Sequence, residues 1–240
     1  MAEISFNILL DESGDKTNLT VDNPMNYAVG ALIFFENYNS LEQKFLERVN
    51  NITPLRIILE KSHNLKFETL KKEPNYNELY DLILGFLSLE KCKFYWHPIK
   101  DQNIKHIKQE DGGIRFTKLV ESCHLDIIAN LIIILKKNGH KVGQIGLFCD
   151  QGTYNPKNGE NHFCIYIKDR AFCYFKIPEE QYQWEQYQIQ LTHVKPKKLH
   201  WCADIIAGIA RENFNKWPRD KTYQLLEENK FTDIANGEWV

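Results

Sequence analysis

At 240 residues the chain suits one large domain, and its core needs no disulfide staples. Thirty Lys and Arg against 32 Asp and Glu leave a net charge of −2, which excludes a strongly basic nucleic-acid-coating protein but not an enzyme with a local basic groove. The 43% hydrophobic and 26% charged residues are ordinary for a globular protein, and six scattered cysteines without close zinc spacing read as reduced core thiols.

Ile4, Phe6, Ile8 and Leu10 alternate with other residues and predict a strand ending at about Asp11. It runs into Asp11-Glu12-Ser13-Gly14-Asp15, where three carboxylates in five residues mark either an exposed acidic turn or a metal site. Tyr27 to Phe35 reads as a second strand, antiparallel to the first and buried on both faces. Ser40 to about Asn51 predicts a helix, with Ser40 as N-cap and Gln43 completing a capping box. A polar approach then leads to Lys66-Phe67-Glu68-Thr69-Leu70. Asn75 to Leu89 is helical, with Tyr76, Leu79, Tyr80, Ile83 and Leu87 on one side. Cys92 to Ile99 is a third strand, and Thr117 to Lys137 a long helix stopped at Asn138-Gly139. Val142 to Cys149 is a strand running into Asp150. Residues 153–181 are loop-rich and aromatic, with one strand candidate around Phe172 to Ile177. Tyr187 to Val194 is a further strand, and Leu199 to about Lys216 a last helix, followed by a polar, loosely docked tail.

No basic stretch precedes an apolar run at the N-terminus, and the apolar segment Ile127 to Leu135 is too short to span a bilayer. The expectation is a cytoplasmic protein with no membrane partner. The element order predicts an α/β chain with a mixed central sheet, helices on both faces and an inserted helical segment. It reads as one domain over residues 1–240, with its core at about 4–216.

Three acids stand in matching contexts. Asp11 and Asp150 each follow an apolar strand and precede a glycine. If the two strands are parallel neighbours, both aspartates lie at one sheet edge, on the order of 5 Å apart. Asp204 sits inside the helix Leu199-His200-Trp201-Cys202-Ala203-Asp204-Ile205-Ile206-Ala207-Gly208, on a stripe shared with His200, Gly208 and Arg211. A pair of Asp204 with Arg211 or His200 on the helix surface is one reading. Exposure to a site is the other, favoured by the small residues Ala203, Ala207 and Gly208, which imply close packing. Three converging carboxylates repel one another unless a divalent cation joins them. Mg²⁺ or Mn²⁺ takes oxygen ligands and keeps positions open for phosphate and water.

The ordered motifs Asp11-Glu12-Ser13-Gly14, Tyr27-Ala28-Val29-Gly30-Ala31-Leu32-Ile33, Leu65-Lys66-Phe67, Asp150 and Ala203-Asp204-Ile205-Ile206-Ala207-Gly208 resemble the domain of unknown function 3800 family. The resemblance runs from about residue 4 to about residue 212. It implies a ribonuclease-H-like fold, with Asp11, Asp150 and Asp204 as the metal-binding acids and Glu12 in the same motif. The ribonuclease-H glutamate of the first helix has no clear match, and Glu68 or Glu12 stands as its candidate. In a regular strand Glu12 points away from Asp11's face, so it joins the site only if the strand ends or bulges there.

Lys66 is a candidate to bind phosphate or orient water. Lys195, Lys197 and Lys198 are candidates to track a nucleic-acid backbone, or form a solvated connector. His193 and His200 are accessory candidates or core histidines, and the aromatics from Tyr166 to Trp184 stack bases or pack the core.

Two functions follow as expectations. One is a metal-dependent nuclease that hydrolyses phosphodiester bonds of RNA or DNA with two Mg²⁺ or Mn²⁺ ions. The other is a catalytically inactive ribonuclease-H-like module that binds nucleic acid or protein. A phosphatase with Asp11 as nucleophile is disfavoured, because Ser13 stands where a second aspartate is wanted. A serine hydrolase is disfavoured by the lack of a G-x-S-x-G elbow.

Overall fold

In the computed structural model, the described residues are 3–14, 27–98, 123–124, 127–128, 130–135, 138–150, 189–194, 198–213, 220–232, 234–235 and 238–239. A five-stranded sheet organises them. Its strands are β1 (Glu3–Gly14), β2 (Tyr27–Phe34), β3 (Lys93–Pro98), β4 (Lys141–Asp150) and β5 (Ile189–Val194), in the order β3-β2-β1-β4-β5. The β1/β2 and β2/β3 pairs are antiparallel, whereas β1/β4 and β4/β5 are parallel. The chain is therefore α/β with a mixed sheet, consistent with a ribonuclease-H-like fold.

Apolar side chains place β1 and β2 in the middle. All eight residues of β2 are buried, as its unbroken apolarity predicts. Leu9, Leu32, Phe34, Phe94 and Trp96 point to one face, here the near face, and join a core with the helices. Phe6, Ile8 and Leu10 are buried on the far face. The helical residues 127–128 and 130–135 fall within the predicted long helix, and Asn138-Gly139 forms the turn after it, Gly139 at φ +81°. His124, helical too, lies 3.8 Å from Glu12, on the far face.

The inserted segment consists of four helices between β2 and β3: α1 (Tyr38–Asn51), α2 (Thr53–Ser62), α3 (Phe67–Leu70) and α4 (Tyr76–Leu89). Near the C-terminus, α5 (His200–Asn213) crosses the near face, and α6 (Lys221–Glu228) packs beside α4. Short strands β6 (Ile234–Ala235) and β7 (Glu238–Trp239) pair with each other.

Four local expectations are corrected. β1 continues to Gly14 instead of ending near Asp11, because Asp11 to Gly14 pair with Gly30 back to Tyr27 and Ser13 is buried there. The cap of α1 is Asn37, whose side chain accepts the Asn39 N–H at 3.0 Å, while Ser40 donates to Glu36 at 2.5 Å instead. The helix starts earlier because Tyr38 is buried, its ring stacked on Phe148 at 4.7 Å. Residues 53–62 form α2 rather than a polar approach, opened by Pro54 in its first turn and burying only Leu55 and Ile58. The tail is not loosely docked along its described length: Tyr223, Leu226 and Phe231 are buried, and the Phe231 N–H donates to the Phe94 carbonyl at 2.9 Å.

Candidate functional site

Asp11 lies on the near face of β1, opposite Gly30 of β2. That glycine decides how low α5 can sit. A β-carbon on Gly30 would lie 2.5 Å from the Ala203 carbonyl oxygen and 2.6 Å from the Ala207 nitrogen. The backbone of α5 thus rests directly on β2, beside the residue paired with Asp11, and carries Asp204 into Asp11's field. The small residues around Asp204 do serve close packing, as their size suggests.

A second element fixes Asp204. Its Oδ2 accepts the Phe67 N–H at 2.6 Å, and the Phe67 ring packs over Gly208, one turn further along α5. Phe67 is itself held from behind: its ring stacks on Tyr80 at 5.2 Å, and the Tyr80 hydroxyl donates to its carbonyl at 3.0 Å. The stripe Asp204–Gly208–Arg211 is therefore the dock for α3. Asp204 makes no hydrogen bond to Arg211 or His200. Arg211 pairs with Glu68 at 2.6 Å, and His200 is buried with its Nδ1 3.3 Å from the Tyr38 hydroxyl oxygen.

Lys66 immediately precedes α3 and is exposed, and its ammonium has no hydrogen bond or ion pair among the described residues. Its positive charge reaches both carboxylates. Burial pushes the Asp11 carboxyl well up, reinforced by the charges of Glu12 and Asp204. The Glu12 N–H, donating at 2.9 Å, and Lys66 oppose this. Burial raises Asp204 too, opposed by the Phe67 N–H, Lys66 and Arg211 and reinforced by Glu68. Asp11, Asp204 and Lys66, taken from three distant parts of the sequence, thus form one electrostatic unit.

The backbone of Asp150 ends β4 at the same sheet end. The last parallel pair before it is Leu9 with Phe148, two residues short of each aspartate, so both aspartates follow the same end of that ladder. The Asp150 and His193 side chains lie outside the described portion, as do Lys195, Lys197 and the aromatic stretch 166–184. Lys198 is exposed just before α5, and its carbonyl accepts the Trp201 N–H at 3.2 Å. Among the described residues no group of three or more His, Cys, Asp and Glu is arranged to hold a metal ion.

The two candidate glutamates go elsewhere. Because β1 pairs with β2 in unbroken register from Asn7 to Gly14, Glu12 keeps its alternation and faces away from Asp11, toward His124. Burial pushes that histidine down to about 3, so it is neutral and the contact is not an ion pair of full charges. Glu68 is largely exposed and engaged by Arg211. Residue-by-residue reading missed Phe67, Gly30 and His124. A lone glycine in the buried run Tyr27 to Phe34 was the available signal for Gly30, since such a glycine marks close approach of another backbone. Phe67 acts through its amide, which no side-chain motif announces.

No protein-family model matches the chain, and no curated protein is similar to it. Among the described residues, no helix is long and apolar enough to cross a membrane.

Proposed function

We propose that this chain is a metal-dependent nuclease that hydrolyses phosphodiester bonds at an aspartate cluster of a ribonuclease-H-like domain in the cytoplasm. The observation that carries the reading is that α5, which bears Asp204, rests on the residue paired with Asp11, so that Asp204 and the Lys66 ammonium both act on the Asp11 carboxyl. The donor set fits a hard divalent cation: two carboxylates, oxygen donors both, that burial pushes toward protonation, Asp11 further so by the charge of Asp204. Asp11 and Asp204 would hold Mg²⁺ or Mn²⁺, with Asp150 at the neighbouring strand end as the third acid. When bound, such ions lower the pKa of a coordinated water and stabilise charge on the leaving oxygen.

The remaining work falls to the chain itself. The Phe67 N–H occupies one lone pair of Asp204 Oδ2 and so orients the carboxylate before any ligand arrives. Lys66 offers a mobile cation to a non-bridging phosphate oxygen. Glu12, behind the strand, donates its backbone N–H to Asp11 Oδ1 and aims that carboxylate. The resemblance to the domain of unknown function 3800 family supports the same assignment of the three aspartates.

The test is cleavage of single-stranded and duplex RNA and DNA, and of hybrids, in Mg²⁺ or Mn²⁺ and in chelator. Asp11→Asn and Asp204→Asn should each lower cleavage by more than about a hundredfold, beyond the range typical of residues that only support a metal ligand. Cleavage unaffected by both substitutions or by chelator would overturn the assignment. Aspartate-dependent Mn²⁺ binding with no cleavage of any substrate would favour the non-catalytic binding module.

A further inference from the structure

Arg211 lies on the same stripe of α5 as Asp204 and Gly208, yet the hydrolytic reading gives it no task. Its guanidinium carbon stands 5.4 Å from the centroid of the Phe67 ring, and its Nη2 is 2.6 Å from Glu68 Oε1. Its side chain is only 14% exposed, whereas that of Glu68 is 62% exposed. Arg211 is thus the inner, fixed member of the pair, and it grips α3 twice, by its charge on Glu68 and by its face on Phe67.

These grips fall at and just after the groups that matter. Lys66, Phe67 and Glu68 are consecutive. The first carries an ammonium without a hydrogen bond or ion pair among the described residues, the second the amide that Asp204 accepts, and the third the carboxylate that Arg211 holds. A four-residue helix cannot hold itself in place, because so short a run makes too few internal hydrogen bonds. Its position must come from docking, and α5 supplies that at Gly208 and Arg211. Lys71, at the other end of α3, adds an ion pair to Glu212 of α5.

We propose that Arg211 is a positioning residue of the Asp11–Asp204 site: by clamping Glu68 and Phe67 onto α5 it fixes the orientation of the Asp204 carboxylate and the placement of Lys66. The proposal rests on the metal-dependent reading above. It assigns Glu68 to the clamp rather than to the metal ligands. It also separates Arg211 from Lys66: one supports the site from inside, the other faces the ligand.

The experiment is calorimetric titration of the full chain with Mn²⁺ alone, at a temperature where circular dichroism shows every variant folded. Wild type, Asp204→Asn, Arg211→Gln, Arg211→Lys and Glu68→Gln are compared. Arg211→Gln should weaken Mn²⁺ binding about tenfold, the usual effect of removing a group that orients a metal ligand. Glu68→Gln should weaken it less, because the stacking on Phe67 survives. Arg211→Lys should recover part of the loss, since it restores the charge but not the fork. If Asp204→Asn abolishes binding while Arg211→Gln leaves it unchanged, the clamp is refuted and the metal reading stands. If wild type and Asp204→Asn bind Mn²⁺ equally or not at all, both fall. A direct ligand role for Glu68 would show as a loss in Glu68→Gln larger than that in Arg211→Gln, and would overturn the clamp as well.

Discussion

At the scale of single residues, the candidate site is held against its own electrostatics. Burial raises both Asp11 and Asp204, so the folded chain takes up protons at these positions more readily than the unfolded chain does. The sign follows directly. Stability from these groups is fully present below the ordinary carboxylate value near 4 and is lost as pH rises through the raised folded values. Without a divalent cation, the protein above the ordinary carboxylate range carries the cost of either ionising these buried groups or keeping them protonated. Asp11→Asn should therefore raise the melting temperature in chelator at pH 7 by about 3 °C or more, the shift that roughly 1 kcal/mol produces in a chain of this size. The difference from wild type should vanish at about pH 3, below the unfolded value. Adding Mn²⁺ should stabilise wild type but not the variant, by about 2.7 kcal/mol at a hundredfold excess over Kd. A variant less stable than wild type in chelator at pH 7 would contradict this account. Glu12 teaches a related lesson. Its place next to Asp11 in the sequence suggested a shared site, but strand alternation sends it to His124.

At the scale of elements, the decisive contact is α5 on β2. Gly30 and the alanines at 203 and 207 let the two backbones touch, and this closeness puts Asp204 within the field of Asp11. Gly30→Ala forces a β-carbon against fixed backbone atoms that no side-chain rotation can move. It should destabilise the fold by about 1–3 kcal/mol, as overpacking does. It should also weaken Mn²⁺ binding, because α5 can yield only by carrying Asp204 away. Gly85 in α4 is the contrast. A β-carbon there meets nothing within 4 Å, so Gly85→Ala should leave metal binding unchanged and stabilise the helix by up to about 1 kcal/mol. Chemical denaturation of the two variants side by side checks both signs. Elements with a wide apolar stripe, such as α4 and α5, were visible in the sequence. α2 was not, because two buried residues make too thin a stripe to stand out from a polar run.

At the scale of the whole molecule, the C-terminal segment belongs to the core. Tyr223 meets Trp96 edge-on at 5.8 Å, and Lys230 stands 4.4 Å over the Trp96 ring. Asp220 caps α6 by accepting the Tyr223 N–H at 2.8 Å. The segment also bonds along the outer edge of β3, with Lys230 bridged to Phe94. Removing residues 220–240 uncovers the buried Tyr223, Leu226 and Phe231 sites, a loss of about 5 kcal/mol or more and comparable to the whole stability of an ordinary domain. The truncated chain should lose its cooperative thermal transition. A sharp transition near the wild-type temperature would show this segment to be dispensable. The sequence alone determined the strands β1 to β5, the helices α1, α4 and α5 apart from their ends, and the antiparallel pairing of β1 with β2. These follow from local periodicity, which each segment carries within itself. It also singled out Asp11, Asp150 and Asp204 by their contexts, and Lys66 through the family resemblance. Only the tertiary structure decided that Asp11 and Asp204 share a field, that Glu12 leaves it, that Phe67 lends its amide and that Arg211 grips α3. Each depends on how closely two backbones far apart in the chain approach, a distance set by glycines, alanines and shared packing rather than by any pattern within one segment.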